Sequence, residues 1–183
     1  RENSFMTDST SDFRPSASME LLAQRAALLR RLRAFFDERG FLEVETPLLS
    51  RDTVIDRHLD PMTVELYAQS EFRYLQTSPE FAMKRLMTDG AEAIYQICKA
   101  FRSDESGDMH NPEFTIVEWY QKNDDYEQGM TLLSDLAESM LDRGPASRIS
   151  YAEAFVRHAG VDPHRISNAD LAEAALRQGI IVP

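Results

Sequence analysis

Phe101-Arg102-Ser103-Asp104-Glu105 … His110-Asn111-Pro112-Glu113-Phe114-Thr115 … Glu118-Trp119-Tyr120 is the stretch that decides the reading of this chain. Residues 93–102 and 114–120 are apolar, aromatic and β-branched, so each reads as a strand. The segment between them, 103–113, is polar and rich in turn formers, so the pair is expected to form a hairpin with a long loop. Loops of that length inside a compact domain usually serve a function. An arginine at a strand end presents a planar fork of donors suited to phosphate. A histidine beyond the loop can reach a terminal phosphate, and Phe114 on the returning strand offers a flat face to a nucleobase. Asp104 or Glu105 can accept from an exocyclic amine. Taken singly, Arg102 reads rather as a surface ion pair and Phe114 as a core aromatic.

Before the hairpin, residues 19–39 form an amphipathic helical pattern. Leu21, Leu28, Leu32 and Phe35 make the stripe, broadened by Leu22, Leu29 and Phe36, and Gly40 is a fitting stop. Arg30, Arg31 and Arg33 read as its solvated face. Residues 41–46 alternate like a half-buried strand closed by Pro47. Two further strands are expected at 61–67 and 72–77, around a polar turn at 68–71. Ser78 is expected as an N-cap, with Pro79 at the first helical position and Glu80 in the first turn of a helix that stops near Gly90. After Tyr126 the pattern is helical at 129–141, 151–159 and 169–178, and the chain closes on an apolar end at 180–183. Residues 1–17 read as a disordered segment and 18–183 as one domain. No internal repeat is found.

Composition narrows the function. The 183 residues suffice for a real core. The net charge of −11 argues against a surface built for a nucleic-acid backbone, which is basic because phosphate neutralisation drives such binding. It points to a small-molecule or protein partner instead. One cysteine, Cys98, excludes an intramolecular disulfide, reads as a small buried hydrophobe and fits a reducing cytoplasm. No apolar run is long enough for a membrane helix, and the polar opening lacks the apolar core of a secretory signal. His58, His110, His158 and His164 have no metal-ligand spacing, so no metal site is expected from them.

The strand–loop–strand order resembles motif 2 of class II aminoacyl-tRNA synthetases, and His110-Asn111-Pro112-Glu113-Phe114-Thr115 with Glu118-x-Tyr120 is similar to its lysyl version. Residues 21–47, ending Gly40-Phe41-Leu42-Glu43-Val44-Glu45-Thr46-Pro47, resemble motif 1. Thr77-Ser78-Pro79-Glu80 with Met83-Lys84-Arg85-Leu86 resembles the segment carrying the amino-acid-binding glutamate. Within the lysyl branch the likeness is greatest to a short paralogue family that joins β-lysine to a lysine of translation elongation factor P. Glu118-Trp119-Tyr120 looks like that paralogue's form, and because motif 1 begins almost at once, no N-terminal anticodon-binding domain is expected.

The resemblance implies an α+β fold, an antiparallel sheet flanked by helices, with the motif 1 helix at a two-fold dimer contact. It implies ATP as co-substrate, with Mg²⁺ held mostly by residues beyond the motifs present here. Arg102 would be the catalytic residue on the α-phosphate, Ser103, Asp104 (or Glu105) and Asn111 would line the nucleotide site, His110 would approach the outer phosphates, and Phe114 would stack on adenine. Ser78, Pro79, Glu80, Glu118 and Tyr120 would receive lysine or β-lysine. Elongation factor P would be the acceptor; no membrane partner is expected, and the acidic charge argues against tRNA.

Two departures stand out. Motif 2 usually reads Phe-Arg-x-Glu, and here the fourth place is Asp104. The seven glycines include no Gly-x-Gly, so motif 3 with its second ATP arginine is absent. The chain is therefore expected to be an inactive N-terminal half of such a catalytic core. The alternatives are a piece of a lysyl-tRNA synthetase, or a non-catalytic synthetase-like binding and dimerisation module.

Overall fold

The computed structural model describes residues 15–68, 70–103 and 105–180. The expectations placed on residues 1–14, on Asp104 and on 181–183 lie outside the described residues. The elements run α1 (Met19–Asp37), β1 (Leu42–Glu43), β2 (Leu49–Ser50), β3 (Thr63–Leu66), β4 (Glu71–Leu75), α2 (Glu80–Thr88), β5 (Ala93–Phe101), β6 (Glu113–Gln121), α3 (Tyr126–Leu141), α4 (Tyr151–Ala159) and α5 (Asn168–Arg177). They divide into two compact units, Arg1–Leu141 and Asp142–Pro183. The mixture of helices and small sheets agrees with the expected α+β class.

In the first unit the β5–β6 hairpin organises everything else. Its register runs without a break from Ala93↔Gln121 to Phe101↔Glu113. Side chains alternate along a strand, so this register sorts residues onto two faces. Tyr95, Ile97, Val117 and Trp119 share one face. Gln96, Cys98 and Ala100 share the other with Phe114, Ile116, Glu118 and Tyr120. The first face is covered by α1 and α3: Phe35, Phe36, Phe41, Tyr95 and Leu136 form the core cluster, with Leu32, Leu132 and Met140 packed around it. Phe36 is its centre, stacked on Tyr95 at 4.6 Å and edge-on to Phe35 and Phe41 at 5.2 and 5.3 Å. The Tyr95 hydroxyl, 2.9 Å from Asp37 Oδ1 and 3.2 Å from Glu43 Oε2, donates to these carboxylates. Burial first, then those acids, push its phenol well above the ordinary range.

Three local expectations change. The run 41–46 contributes only Leu42–Glu43 as a strand, and it pairs with β5 in parallel, so the sheet is mixed. Only Val44 N–H continues the ladder, to Tyr95 O at 2.9 Å, before the chain reaches Pro47. Helix α2 begins at Glu80 with Pro79 at the cap position, one residue later than expected. Ser78 Oγ still accepts from Glu80 N–H at 3.1 Å, but its own proton goes to Glu118. The α1 stripe is buried only towards its C-terminal end. Leu21, Leu22 and Leu28 remain 58%, 43% and 43% exposed, because β5, β6 and α3 cover Leu32, Phe35 and Phe36 alone.

Strands β2, β4 and β3 form a second, antiparallel sheet. Gln76 ties it to the hairpin: its N–H donates to Leu48 O at 2.9 Å, its carbonyl accepts from Phe101 N–H at 2.9 Å, and Nε2 donates to Lys99 O at 2.8 Å. Nε2 also reaches Cys98 Sγ at 3.2 Å. Cys98 is thus half-buried beside a polar group, and burial raises its thiol above the usual value.

The second unit is built from local signals. Ser150 and Glu153 make a reciprocal capping box at the start of α4, and Gly160, at φ 72°, closes that helix in the left-handed region that glycine adopts without strain. Ser167 caps α5. Tyr151 packs its ring on Phe155 at 5.3 Å and on His164 at 6.0 Å.

Candidate active site

The hairpin face turned away from the aromatic core carries the candidate residues. Gln96 pairs with Glu118 and Ile94 with Tyr120, so both site residues of β6 stand over buried neighbours on β5. Gln96 is itself held by Thr46, whose hydroxyl donates to Oε1 at 3.0 Å. On this platform both oxygens of Glu118 are engaged. Ser78 Oγ donates to Oε2 at 2.7 Å, and Tyr120 OH donates to Oε1 at 2.5 Å. Ser78 is brought there by the turn after Gln76, where Thr77 is fully buried.

Glu80 opens α2 on the same side. Its carboxylate binds the ammonium of Lys84 at 2.5 Å, and that ammonium lies 5.9 Å from the centre of the Tyr120 ring. Lys84 was not singled out from the sequence; the signal was its position four residues after Glu80 on a helix, where such pairs meet. The Tyr120 phenol is pushed far above its ordinary value by burial first, then by its hydrogen bond to Glu118 and the charges of Glu118 and Glu80. A raised folded value means the native state keeps a proton that the unfolded chain releases. The contribution is present below about pH 10 and is lost as pH rises beyond it. Following phenolate absorbance in alkali, Tyr120→Phe should remove a component that ionises above the ordinary phenol range. Loss of a component titrating near pH 10 would contradict this environment.

Arg102 continues the alternation of β5 past its last ladder pair. Its backbone N–H donates to Pro112 O at 2.9 Å, Nε donates to Thr77 O at 3.4 Å, and Nη1 pairs with Glu105 Oε1 at 3.1 Å. Its guanidinium carbon lies 5.0 Å from the centre of the Phe114 ring. Arg102, Glu105 and Phe114 are therefore one group, joined through Thr77 and Ser78 to the Glu118 cluster. Asp104 lies outside the described residues, and Glu105 is the acid seen on Arg102. Ser103 is tied down instead, with N–H and Oγ both donating to Asp60 O at 2.9 and 3.1 Å. His110 closes a small bridge with Gly107 at the exposed loop tip, and Asn111 follows it, also exposed. Neither side chain is brought onto the Arg102 group. Pro79 is buried at the head of α2 and shapes the turn. Among the described residues, no group of three or more His, Cys, Asp or Glu is arranged to hold a metal ion. No described helix is long and apolar enough to cross a membrane.

An arginine over an aromatic ring, next to carboxylates closed by hydroxyl donors, suits a phosphate-bearing aromatic ligand beside a cationic one. Residues 1–176 match the family model described as tRNA synthetases class II (D, K and N). The chain belongs to this class II synthetase family. Among its curated relatives are proteins named elongation factor P–(R)-β-lysine ligase. That of Vibrio vulnificus (strain YJ016) is 46% identical over 173 residues, covering 92% of this chain and 54% of the relative. That of Salmonella typhi is 43% identical over 172 residues, covering 92% and 53%. The chain thus spans about half the length of the curated relatives it matches.

Proposed function

We propose that this chain is the motif 1 and motif 2 portion of an ATP-dependent ligase that activates a lysine-like amino acid as its adenylate and passes it to a lysine of elongation factor P. The observation that carries the reading is the carboxylate cluster. Glu118 is held at both oxygens by Ser78 and Tyr120, and Glu80 beside it already binds an ammonium, that of Lys84. A buried cation requires opposite charge and hydrogen bonds, and two glutamates with a phenol supply both. They also discriminate against neutral side chains. The names of the curated relatives support β-lysine as substrate and elongation factor P as acceptor.

In this reading Arg102 binds the α-phosphate of ATP and Phe114 stacks on adenine. Ser103, Asn111 and either Asp104 or Glu105 line the nucleotide, and His110 closes on the outer phosphates from the loop tip. An oxygen of the substrate carboxylate attacks the α-phosphorus, the bond to the β-phosphate oxygen breaks, and pyrophosphate leaves. An acceptor amine then attacks the adenylate carbonyl, AMP departs, and the amine loses a proton. No protein nucleophile takes part; Arg102 positions the phosphate and offsets charge developing on it. The exposed Leu21, Leu22 and Leu28 of α1 are the surface on which a second copy would pack. A cytoplasmic location follows from this role.

The test is amino-acid-dependent ATP–pyrophosphate exchange, comparing this chain with the product of its complete reading frame, using L-lysine and (R)-β-lysine. Exchange is expected only in a product that also supplies motif 3, and best with (R)-β-lysine. Preference for L-lysine would transfer the reading to a lysyl-tRNA synthetase. No exchange in any product would leave a binding module.

A further inference from the structure

A cavity of about 710 Å³ opens on the flank of α2, bordered by Ser78 and Lys84 but by none of Glu118, Tyr120, Arg102 or Phe114. One wall is the segment after β2, with Arg51, Asp52 and Val54. The other is a single face of α2, where Phe81, Ala82, Arg85 and Thr88 recur at helical spacing. Pairing of β2 with β4 holds the first wall opposite the second.

The charge of this cavity runs against the composition of the chain. Acidic residues outnumber basic ones by 31 to 20, yet three cations, Arg51, Lys84 and Arg85, line it against one acid, Asp52. Lys84 is satisfied by Glu80. Among the described residues, the guanidinium groups of Arg51 and Arg85 have neither a hydrogen bond nor an ion pair. Beside them Phe81 presents an aromatic ring, 53% exposed, at the first turn of α2. Two unclaimed guanidinium forks and an apolar wall make a site of opposite preference to the carboxylate cluster next door. The volume lies in the ordinary range for small-molecule sites, about 300–1,000 Å³.

We propose that this cavity binds a small organic anion: a carboxylate or phosphate held by Arg51 and Arg85, with an apolar body against Phe81, Ala82 and Val54. Planar guanidinium groups recognise such anions through paired N–H donors. The apolar wall selects ligands that carry a ring or aliphatic chain over bare inorganic ions. The site does not depend on the ligase reading: Ser78 and Lys84 border both sites, but Arg51, Arg85 and Phe81, which would hold the anion, belong to neither the nucleotide group nor the Glu118 cluster.

Titration of the chain with phenyl phosphate, followed by calorimetry and by ¹⁵N chemical shifts, tests the proposal. Inorganic phosphate supplies the charge alone and benzyl alcohol the apolar body alone. Phenyl phosphate should bind about tenfold or more tightly than either. Arg51→Gln and Arg85→Gln should each weaken it by about tenfold or more. Phe81→Ala should remove its advantage over inorganic phosphate. Arg177→Gln, in the other unit, should leave it unchanged, and saturating L-lysine should not compete. Circular dichroism checks that each variant folds. If Arg85→Gln does not, Arg85→Lys keeps the charge, loses the fork, and should still bind more weakly. Equal affinity in all variants, parity with inorganic phosphate, or no binding of phenyl phosphate would overturn the proposal.

Discussion

Phe36→Ala is expected to lower the stability of the first unit by about 3–5 kcal/mol, the usual cost of truncating a buried phenylalanine. Phe36 is wholly buried and, among the described residues, is the one ring that touches four others: Phe35, Phe41, Tyr95 and Trp119. Alanine would leave a cavity among rigid aromatic rings, which cannot collapse into it as flexible side chains could. The loss also reaches past packing. Tyr95 is stacked on Phe36 while its hydroxyl holds Asp37 and Glu43, so a shifted Tyr95 ring loosens the join between α1 and β1. Thermal unfolding should show a midpoint lower by about 10 °C. Leu21→Ala, at a residue 58% exposed on the same helix, should stay within about 0.5 kcal/mol. Comparable effects at the two positions would mean that the core is not centred on Phe36.

The second large effect concerns chemistry. In the complete reading-frame product, Arg102→Ala is expected to reduce kcat/KM for ATP–pyrophosphate exchange by about 10²–10³-fold or more, the scale seen when a preorganised transition-state donor is removed. The guanidinium is held in place before any ligand arrives, by Thr77 O, Glu105 and the ring of Phe114. Its remaining donors are free of reorganisation cost when a phosphate binds. Arg102→Lys keeps the charge and loses the fork, so it should recover only part of the rate. Phe114→Ala should act mainly through KM for ATP, because a stacking face binds ground and transition states alike. Activity of Arg102→Ala within threefold of the parent would remove the nucleotide from this hairpin.

Much of this arrangement was legible in the sequence because it rests on short-range physics. The apolar, aromatic and β-branched residues of 93–101 and 113–121, set around a polar loop, specify a hairpin, while its register and the difference between its two faces came from the structure. The caps of α4 and α5 are written locally, in Ser150 with Glu153 and in Ser167. Order alone placed the site segments too, since Ser78 and Glu80 precede the strand pair and Arg102 stands at its open end. The parallel pairing of β1 was not legible, because two residues carry no periodicity and the partner lies far along the chain. Strand β2 was hidden for the same reason. The Lys84 ammonium on Glu80 required knowing which way α2 faces.

What the sequence by itself determined is therefore the helices, the longer strands, the hairpin and the family, each encoded by neighbours or by residues in a fixed order. Only the tertiary structure decided which hairpin face went to the core and which stayed open. That choice depends on α1 and α3, whose Phe35, Phe36 and Leu136 bury Tyr95 on one side. It leaves Glu118, Tyr120 and Phe114 on the other, where Ser78 and Arg102 meet them. The cavity between Arg51 and Arg85 belongs to the same level. Two arginines distant in sequence become one site only when β2 and α2 are packed opposite each other, because burial area and chain connectivity, not local propensity, set that distance.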